Sequence, residues 1–167
     1  MTANTTGRTV SRWTKFLVND TGSTLREIPV STISAVGVTF DTTDLTALQD
    51  AVKGALPNMP DAPISISGPL DIDAAAAAPT LSGAHTILAP LNATNAAGTA
   101  VPLTIDIRFG MRHTWESGEP VFGITSSATS GYMITSYTVD PVASTYSATF
   151  VLWPGSALPA FGTTANT

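Results

Sequence analysis

Apolar and polar residues alternate more regularly along the last third of the chain than anywhere else. In residues 103–111 every second position is apolar, and residues 146–152 repeat the pattern. Because successive side chains of a β-strand point to opposite faces, this period of two predicts half-buried strands. Two shorter runs, 121–125 and 131–139, lie between them. The sequence therefore predicts a four-stranded antiparallel meander.

The first third has shorter apolar runs separated by turn-forming residues. Residues 9–18 and 25–30 flank the sequence Asn-Asp-Thr-Gly at 19–22. Such a cluster is typical of a tight turn, so the two runs predict a β-hairpin. Residues 33–40 predict a further strand, and residues 64–67 predict a short one.

Between residues 44 and 56 the spacing of apolar residues changes from two to three or four. The following residues then share one helical stripe: Leu45, Leu48, Val52, Ala55 and Leu56. Thr43 or Asp41 can cap the start of a helix, and Pro57 can end it. We therefore predict one flanking α-helix at about residues 43–56.

Three other segments are less regular. Residues 56–63 contain three prolines, which remove main-chain donors and predict a stiff loop. Residues 81–88 predict a short helix that Gly83 weakens. The small residues at 92–100 predict a loop.

These elements predict a mainly β protein, an antiparallel β-sandwich or barrel-like fold with one flanking helix. At 167 residues the chain fits a single domain spanning residues 1–167. Residues 1–8 are polar and predict a flexible N-terminal arm, which precedes a core of residues 9–153. Residues 154–167 predict a C-terminal arm that leaves the sheet.

Charged residues are scarce. They make up 11% of the chain, against about 25% in a typical soluble domain. Neutral surfaces rich in Ser, Thr and Ala can be buried against another protein at little desolvation cost, which favours an assembly subunit. A secreted β-module whose threonines reflect β-propensity remains the alternative.

The balance of charge argues against a nucleic-acid-binding surface. The formal net charge is −5, so the chain offers no general means of neutralising phosphates. Arg8, Arg12 and Lys15 form a local basic patch, either a solvated strand face or a docking site for an acidic partner. No apolar run approaches the ~20 residues of a membrane helix, and we expect a soluble protein made in the cytoplasm.

Candidate catalytic groups are few. The chain has no cysteine and only two histidines, His85 and His113, neither set near a recognisable nucleophile motif. Glu116 and Glu119 flank an exposed Gly/Pro turn, which lacks the apolar setting that raises a carboxyl pKa. We therefore expect no enzyme activity, no metal site and no cofactor.

The order of elements resembles the tail tube, or major tail, proteins of long-tailed bacteriophages. The resemblance begins in residues 38–71, where a predicted helix bearing Lys53 leads to a Pro-containing turn and a strand ending in Gly68. Asn58 stands where that family commonly has glycine. The resemblance continues through residues 105–110, 115–120, 122–125 and 146–155.

The resemblance implies a function for the chain. It implies a subunit of stacked hexameric rings that form a hollow tail tube in the virion. Its partners would be copies of itself, a tape-measure protein, and tail-tip and tail-terminator proteins, with DNA passing through the channel unbound. A channel that lets DNA slide must avoid cationic walls. Four acidic residues are candidates for its lining, with solvated outer positions as the alternative: Asp44, Asp50, Asp106 and Asp140.

Two other functions remain open. A capsid decoration or tail-completion protein would need the same neutral surface without polymerising. A carbohydrate-binding adhesion module would stack sugars on Trp13, Trp115 or Trp153.

Overall fold

The computed structural model describes residues 13–44, 55–71, 82–110 and 115–166. Their strands are β1 (Thr14–Asn19), β2 (Leu25–Ile28), β3 (Thr32–Ile33), β4 (Thr39–Asp44), β5 (Ala55–Asp61), β6 (Ile64–Pro69), β7 (Ile105–Phe109), β8 (Val121–Ile124), β9 (Tyr132–Asp140), β10 (Thr145–Leu152) and β11 (Ala160–Gly162). The helix of this part of the chain, α1 (Ala84–Ala96), lies between β6 and β7. The predicted mainly β class is confirmed.

The strands form three antiparallel sheets. Sheet A has the order β11-β8-β7-β1-β2, and sheet B has the order β3-β6-β10-β9. Strands β4 and β5 pair only with each other and form a two-stranded ribbon. The predicted hairpin of β1 and β2 is confirmed, with Phe16 opposite Ile28.

Sheets A and B face each other across one apolar core. Phe16 of sheet A lies beside Phe150 of sheet B, with ring centroids 5.6 Å apart, and both side chains are buried. Two buried tyrosines satisfy their hydroxyls on main-chain carbonyls: Tyr146 donates to Pro29 at 2.6 Å and Tyr132 to Ala62 at 2.9 Å. A buried polar group that keeps its hydrogen bond avoids the penalty of desolvation.

Helix α1 packs against β9 and is longer than the sequence predicts. It buries Ile87, Leu88 and Leu91, and extends through much of the segment predicted to be a loop. Asn95 secures its last turn by donating to the carbonyl of Ile134 at 2.5 Å. Tertiary packing of this kind overrides weak helix propensity.

The helix predicted at residues 43–56 is wrong at both ends. Thr43 lies on β4 opposite Leu56, and Asp44 lies opposite Ala55 on β5. Residues 45–54 lie outside the described residues. The loop predicted at 56–63 is also wrong, since Pro57 and Pro60 lie within β5. A two-stranded ribbon leaves one side of each strand unpaired, which is where a strand tolerates proline.

The predicted four-stranded meander is divided between the two sheets. Strands β7 and β8 pair in sheet A, and β9 and β10 pair in sheet B. The chain crosses over at a turn in which the Ser127 amide donates to the Ser130 carbonyl at 2.8 Å. Alternation shows which residues face the core. It does not show which sheet a strand belongs to, because both sheets face the same core.

Two other predicted segments also differ. The strand predicted at 33–40 is interrupted at residues 34–38, which include Gly37 with a φ of 148° that favours glycine. Its two ends join sheet B and the ribbon. The predicted C-terminal arm does not leave the sheet entirely, because β11 pairs with β8.

Candidate assembly interface

The ribbon of β4 and β5 carries large apolar side chains that the rest of the chain leaves exposed. Phe40 is 53% exposed, Leu56 54% and Met59 89%. The two strands pack mainly against each other. Large exposed apolar side chains on a segment of this kind make it a candidate interaction surface.

The base of the ribbon is fixed to the core. Ala62 and Ile64, which follow β5, are buried, and the carbonyl of Ala62 accepts the hydrogen bond from Tyr132. Burial, together with the nearby charge of Asp61, raises the pKa of the Tyr132 phenol well above its ordinary value, so the hydroxyl keeps its proton. The ribbon therefore starts from a fixed position, and beyond it β4 and β5 pack mainly against each other.

The ribbon is irregular at its apolar side chains. Phe40 lies opposite Pro60 and Thr42 opposite Pro57, so β5 has an extra residue between these pairs. A bulge of this kind bends and twists a strand. This surface is not predicted by the sequence pattern, because the prolines at 57 and 60 favour a loop. The signal available in the sequence is the set of apolar residues among Thr, Asp and Pro.

The outer face of sheet B carries hydroxyl groups. Thr32 pairs with Ser67 at 2.6 Å, Thr138 with Ser147 at 2.7 Å, and Ser65 lies 3.4 Å from Thr149. These hydroxyls partly satisfy each other across the strands. Apart from Asp140 at the end of β9, these positions are uncharged, in keeping with the low charge expected of a buried contact surface.

The outer face of sheet A carries ion pairs instead. Lys15 pairs with Glu27 at 2.8 Å, and Arg108 pairs with Asp106 at 3.2 Å. At the end of the β1–β2 hairpin, Arg26 pairs with Asp20 at 2.8 Å. Every Lys and Arg within the described ranges is thus engaged in an ion pair of its own chain.

Asp106 is buried, with 1% of its surface exposed. Burial raises the pKa of its carboxyl, against the opposing effects of hydrogen bonds from Asn166 and the charge of Arg108. Gly123 lies opposite, and a Cβ there would come within 2.6 Å of the carboxyl oxygen. Glycine at this position lets the carboxylate lie across β8.

The predicted channel-lining acids fall in different places. The prediction that Asp106 lines a channel is wrong, because its side chain is buried. Asp44 is exposed on β4, and Asp140 is exposed at the end of β9, where it accepts hydrogen bonds from the turn amides of Val142 and Ala143. Asp50 lies outside the described residues.

Of the three residues of the predicted basic patch, the structure describes Lys15. Lys15 is half-buried and paired with Glu27, so it does not offer a free docking charge. Arg8 and Arg12 lie outside the described residues.

The candidate catalytic groups that the structure describes are engaged in other contacts. His85 hydrogen-bonds through Nδ1 to the Tyr137 hydroxyl at 2.8 Å, and His113 lies outside the described residues. A carboxyl oxygen of Glu119 accepts from the amide of Glu116 at 2.9 Å, as expected for a turn. Within the part of the chain that is described, no group of three or more His, Asp or Glu side chains is placed to hold a metal, and no helix is long and apolar enough to cross a membrane.

An apolar groove opens beside the core at one edge of the sandwich. Its volume is about 320 Å³, and its walls include Val30, Ile33, Val36, Ile107 and Phe109. Phe161 of β11 stands near it, with its ring centroid 6.4 Å from that of Phe109, and is 63% exposed. The apolar surface of sheet A therefore extends beyond the area that sheet B covers.

No protein-family model matches the chain, and no curated protein matches it. Solved structures do match its fold. A chain in the sixfold-symmetrised baseplate of the anti-feeding prophage gives a TM-score of 0.59 at 8% identity, covering 93% of this chain and 95% of that one. A chain in the tail of an empty gene transfer agent particle, determined with C6 symmetry, gives 0.57 at 17% identity, covering 95% and 100%.

A third similar chain occurs in the sheath-tube complex of an extracellular contractile injection system. Its TM-score is 0.53 at 10% identity, and 90% of this chain and 89% of that one are covered. At such low identities the likeness establishes the fold. The chain has the fold found in components of phage-like tails and injection systems, which confirms the resemblance seen in the sequence in this coarser form.

Proposed function

We propose that the chain is a structural subunit of a phage-like tail, and that it assembles with copies of itself into stacked rings enclosing a channel. The observation that carries this proposal is the ribbon. Phe40, Leu56 and Met59 are exposed on a segment that adds little to the chain's own core. A second copy of the chain would cover them.

The comparisons support a ring of six copies. Two of the similar chains come from assemblies described with sixfold or C6 symmetry. Head-to-tail contacts between identical copies close into a ring when the rotation between neighbours divides a full turn. Six is therefore the copy number proposed for each ring.

The charges of the described residues suit a channel through which DNA and a tape-measure protein pass. The Lys and Arg side chains there are engaged in ion pairs, whereas the ribbon adds Asp41, Asp44 and Asp61. Fixed negative charge repels phosphates and prevents DNA from adhering. Proteins at the tail tip and the tail terminator would complete the tube, and the chain itself would perform no catalysis.

Electron microscopy of the purified protein at rising concentration tests the proposal. We expect rings or tubes from the unaltered chain and their loss in the double variant Phe40→Ser, Met59→Ser. Val142→Ser is the matched control, because Val142 is 94% exposed in the β9–β10 turn and lies outside the ribbon. A chain that stays monomeric at every concentration would contradict the proposal.

A capsid decoration protein is the second candidate, since the neutral outer face of sheet B would suit a single docking event. It would bind expanded capsids at fixed stoichiometry without forming rings. The carbohydrate-binding alternative has less support, because Trp115 lies under Arg108, whose guanidinium carbon is 5.2 Å from the ring centroid. A glycan array tests it directly.

A further inference from the structure

Residues 160–166, here called the strap, cover the edge of strand β8. Three residue pairs join β11 to β8. The amide of Gly118 also donates to the carbonyl of Thr163 at 3.3 Å. Most of the strap is exposed, and Phe161 rests on Phe122 with ring centroids 4.8 Å apart. The strap therefore buries little apolar surface of its own.

Its second attachment is polar and concentrated at Asn166. The amide of Asn166 donates to Asp106 Oδ2 at 3.0 Å, and its side-chain nitrogen donates to Oδ1 at 2.8 Å. Its carbonyl accepts from Arg108 at 2.8 Å, and Thr125 donates to its side-chain oxygen. One residue thus holds the far end of the strap to a buried carboxylate.

The strap also changes which sheet edges neighbouring copies can join. Every pair in sheet A is antiparallel, so strand direction alternates along the order β11-β8-β7-β1-β2. Strand β2 is therefore parallel to β11 and antiparallel to β8. The rotation that relates neighbouring copies in a ring does not change whether a strand points up or down along the ring axis. With the strap in place, β2 of one copy meets the β11 of the next in parallel.

Without the strap, β2 of one copy would meet β8 of the next in antiparallel orientation. The two strands also match in length, since Leu25–Ile28 and Val121–Ile124 each have four residues. Antiparallel pairs are slightly more stable per residue than parallel pairs. One bond on the outer edge of β2 would be exchanged in this step, because the Glu27 carbonyl accepts from the Ser82 amide of its own chain at 2.8 Å. Joining edges in this way leaves no strand edge of sheet A exposed in a closed ring.

We propose that the strap is a removable cover that blocks ring closure, and that the edge strand β2 of a second copy takes its place on β8. This inference rests on the proposed function and adds a regulatory step to it. A segment held by a few main-chain pairs and one polar anchor opens more readily than the core does. The isolated chain thereby keeps its β8 edge from indiscriminate pairing.

The test compares the full chain with two altered forms, deletion of residues 160–167 and Asn166→Ala. We expect both to assemble at a protein concentration on the order of tenfold lower than the full chain needs. Each change removes at least one hydrogen bond to the Asp106 carboxylate that stabilises the covered state. Thr164→Ala, at an exposed strap position, is the control and should assemble as the full chain does. Asn166→Ala keeps the test valid if the deletion does not fold.

Hydrogen exchange of the assembled deletion variant identifies the new partner of β8. We expect the amides of Val121–Ile124 and of Leu25–Ile28 to gain protection on assembly. Protection confined to β9 and β3, or an unchanged or higher assembly concentration, would overturn the inference while leaving the proposed function intact. If neither the full chain nor any variant assembles, both fall together.

Discussion

Phe150 and Phe40 both lie on β-strands, and their surroundings are opposite. Phe150 is fully buried between sheets A and B, whereas Phe40 on the ribbon is 53% exposed. Burial of an aromatic side chain within the chain stabilises the fold. Exposure of the same side chain contributes little to folding and leaves apolar area for a partner. The sandwich therefore sets the stability of the chain, and the ribbon is available for assembly.

The largest expected effect on stability is at the buried end of this comparison. Phe150→Ala should lower the free energy of unfolding by about 3–5 kcal/mol, because it removes the contact with Phe16 and leaves a cavity. Urea denaturation followed by circular dichroism measures the change. A loss below about 1 kcal/mol would mean that the two sheets do not share one close-packed core.

Asp20 tests the hairpin that contributes β1 to this core. Its Oδ1 accepts from the amides of Gly22 and Thr24 at 2.8 and 2.9 Å, and its Oδ2 accepts from Arg26 at 2.8 Å. Burial acts to raise the pKa of the Asp20 carboxyl, but these hydrogen bonds and the Arg26 charge outweigh it and lower the pKa. Asp20→Asn should cost about 1–2 kcal/mol at neutral pH.

The sign of the pH dependence follows from the lowered pKa. The contribution of Asp20 to the free energy of unfolding is complete above the unfolded-state pKa of about 4. It is lost as the pH falls through the lower folded-state pKa. Unfolding of the Asp20→Asn variant should therefore depend less on pH in acid. Asp140→Asn is the control, since Asp140 also accepts two turn amides but has no cationic partner among the described residues. Equal losses in the two variants would contradict the role given to Arg26.

How far the fold can be predicted also differs between the two regions. Alternation at Tyr146, Ala148 and Phe150 identifies core-facing positions, because the period of two is a local property of a strand. The assignment of β7 and β9 to different sheets depends on contacts between distant residues, such as the bridge of Leu103 with Tyr132. Local patterns contain no such information.

The ribbon was predicted least well. Leu56 fits a helix stripe and Thr43 fits a helix cap, but both also fit a strand pair, and only their pairing across the ribbon distinguishes the two. The burial of Asp106 could not be predicted either, since an acidic residue on an alternating strand is expected to face solvent. Its burial depends on Asn166, far away in the sequence.

A smaller effect is expected from the ion pair on the outer face of sheet A. Lys15 and Glu27 are partly exposed, at 32% and 16% of their side-chain surfaces. Such pairs contribute about 0.2–1 kcal/mol and weaken in salt. A double-mutant cycle with Lys15→Ala and Glu27→Ala should give a coupling in this range that shrinks at high ionic strength. A coupling that salt leaves unchanged would indicate a pair shielded from solvent.

The smallest effect on stability, and the largest on assembly, is expected on the ribbon. Met59→Ser should change the free energy of unfolding by less than about 0.5 kcal/mol, because its side chain is largely in solvent already, and Phe40→Ser should cost somewhat more, because Phe40 is only half exposed. Sedimentation of the same variants should show fewer large particles than the unaltered chain, since the apolar area available to a second copy is smaller. Val142→Ser should leave both measurements unchanged. If the ribbon variants unfold as readily as Phe150→Ala, the exposed side chains support their own chain, and the contrast between sandwich and ribbon does not hold.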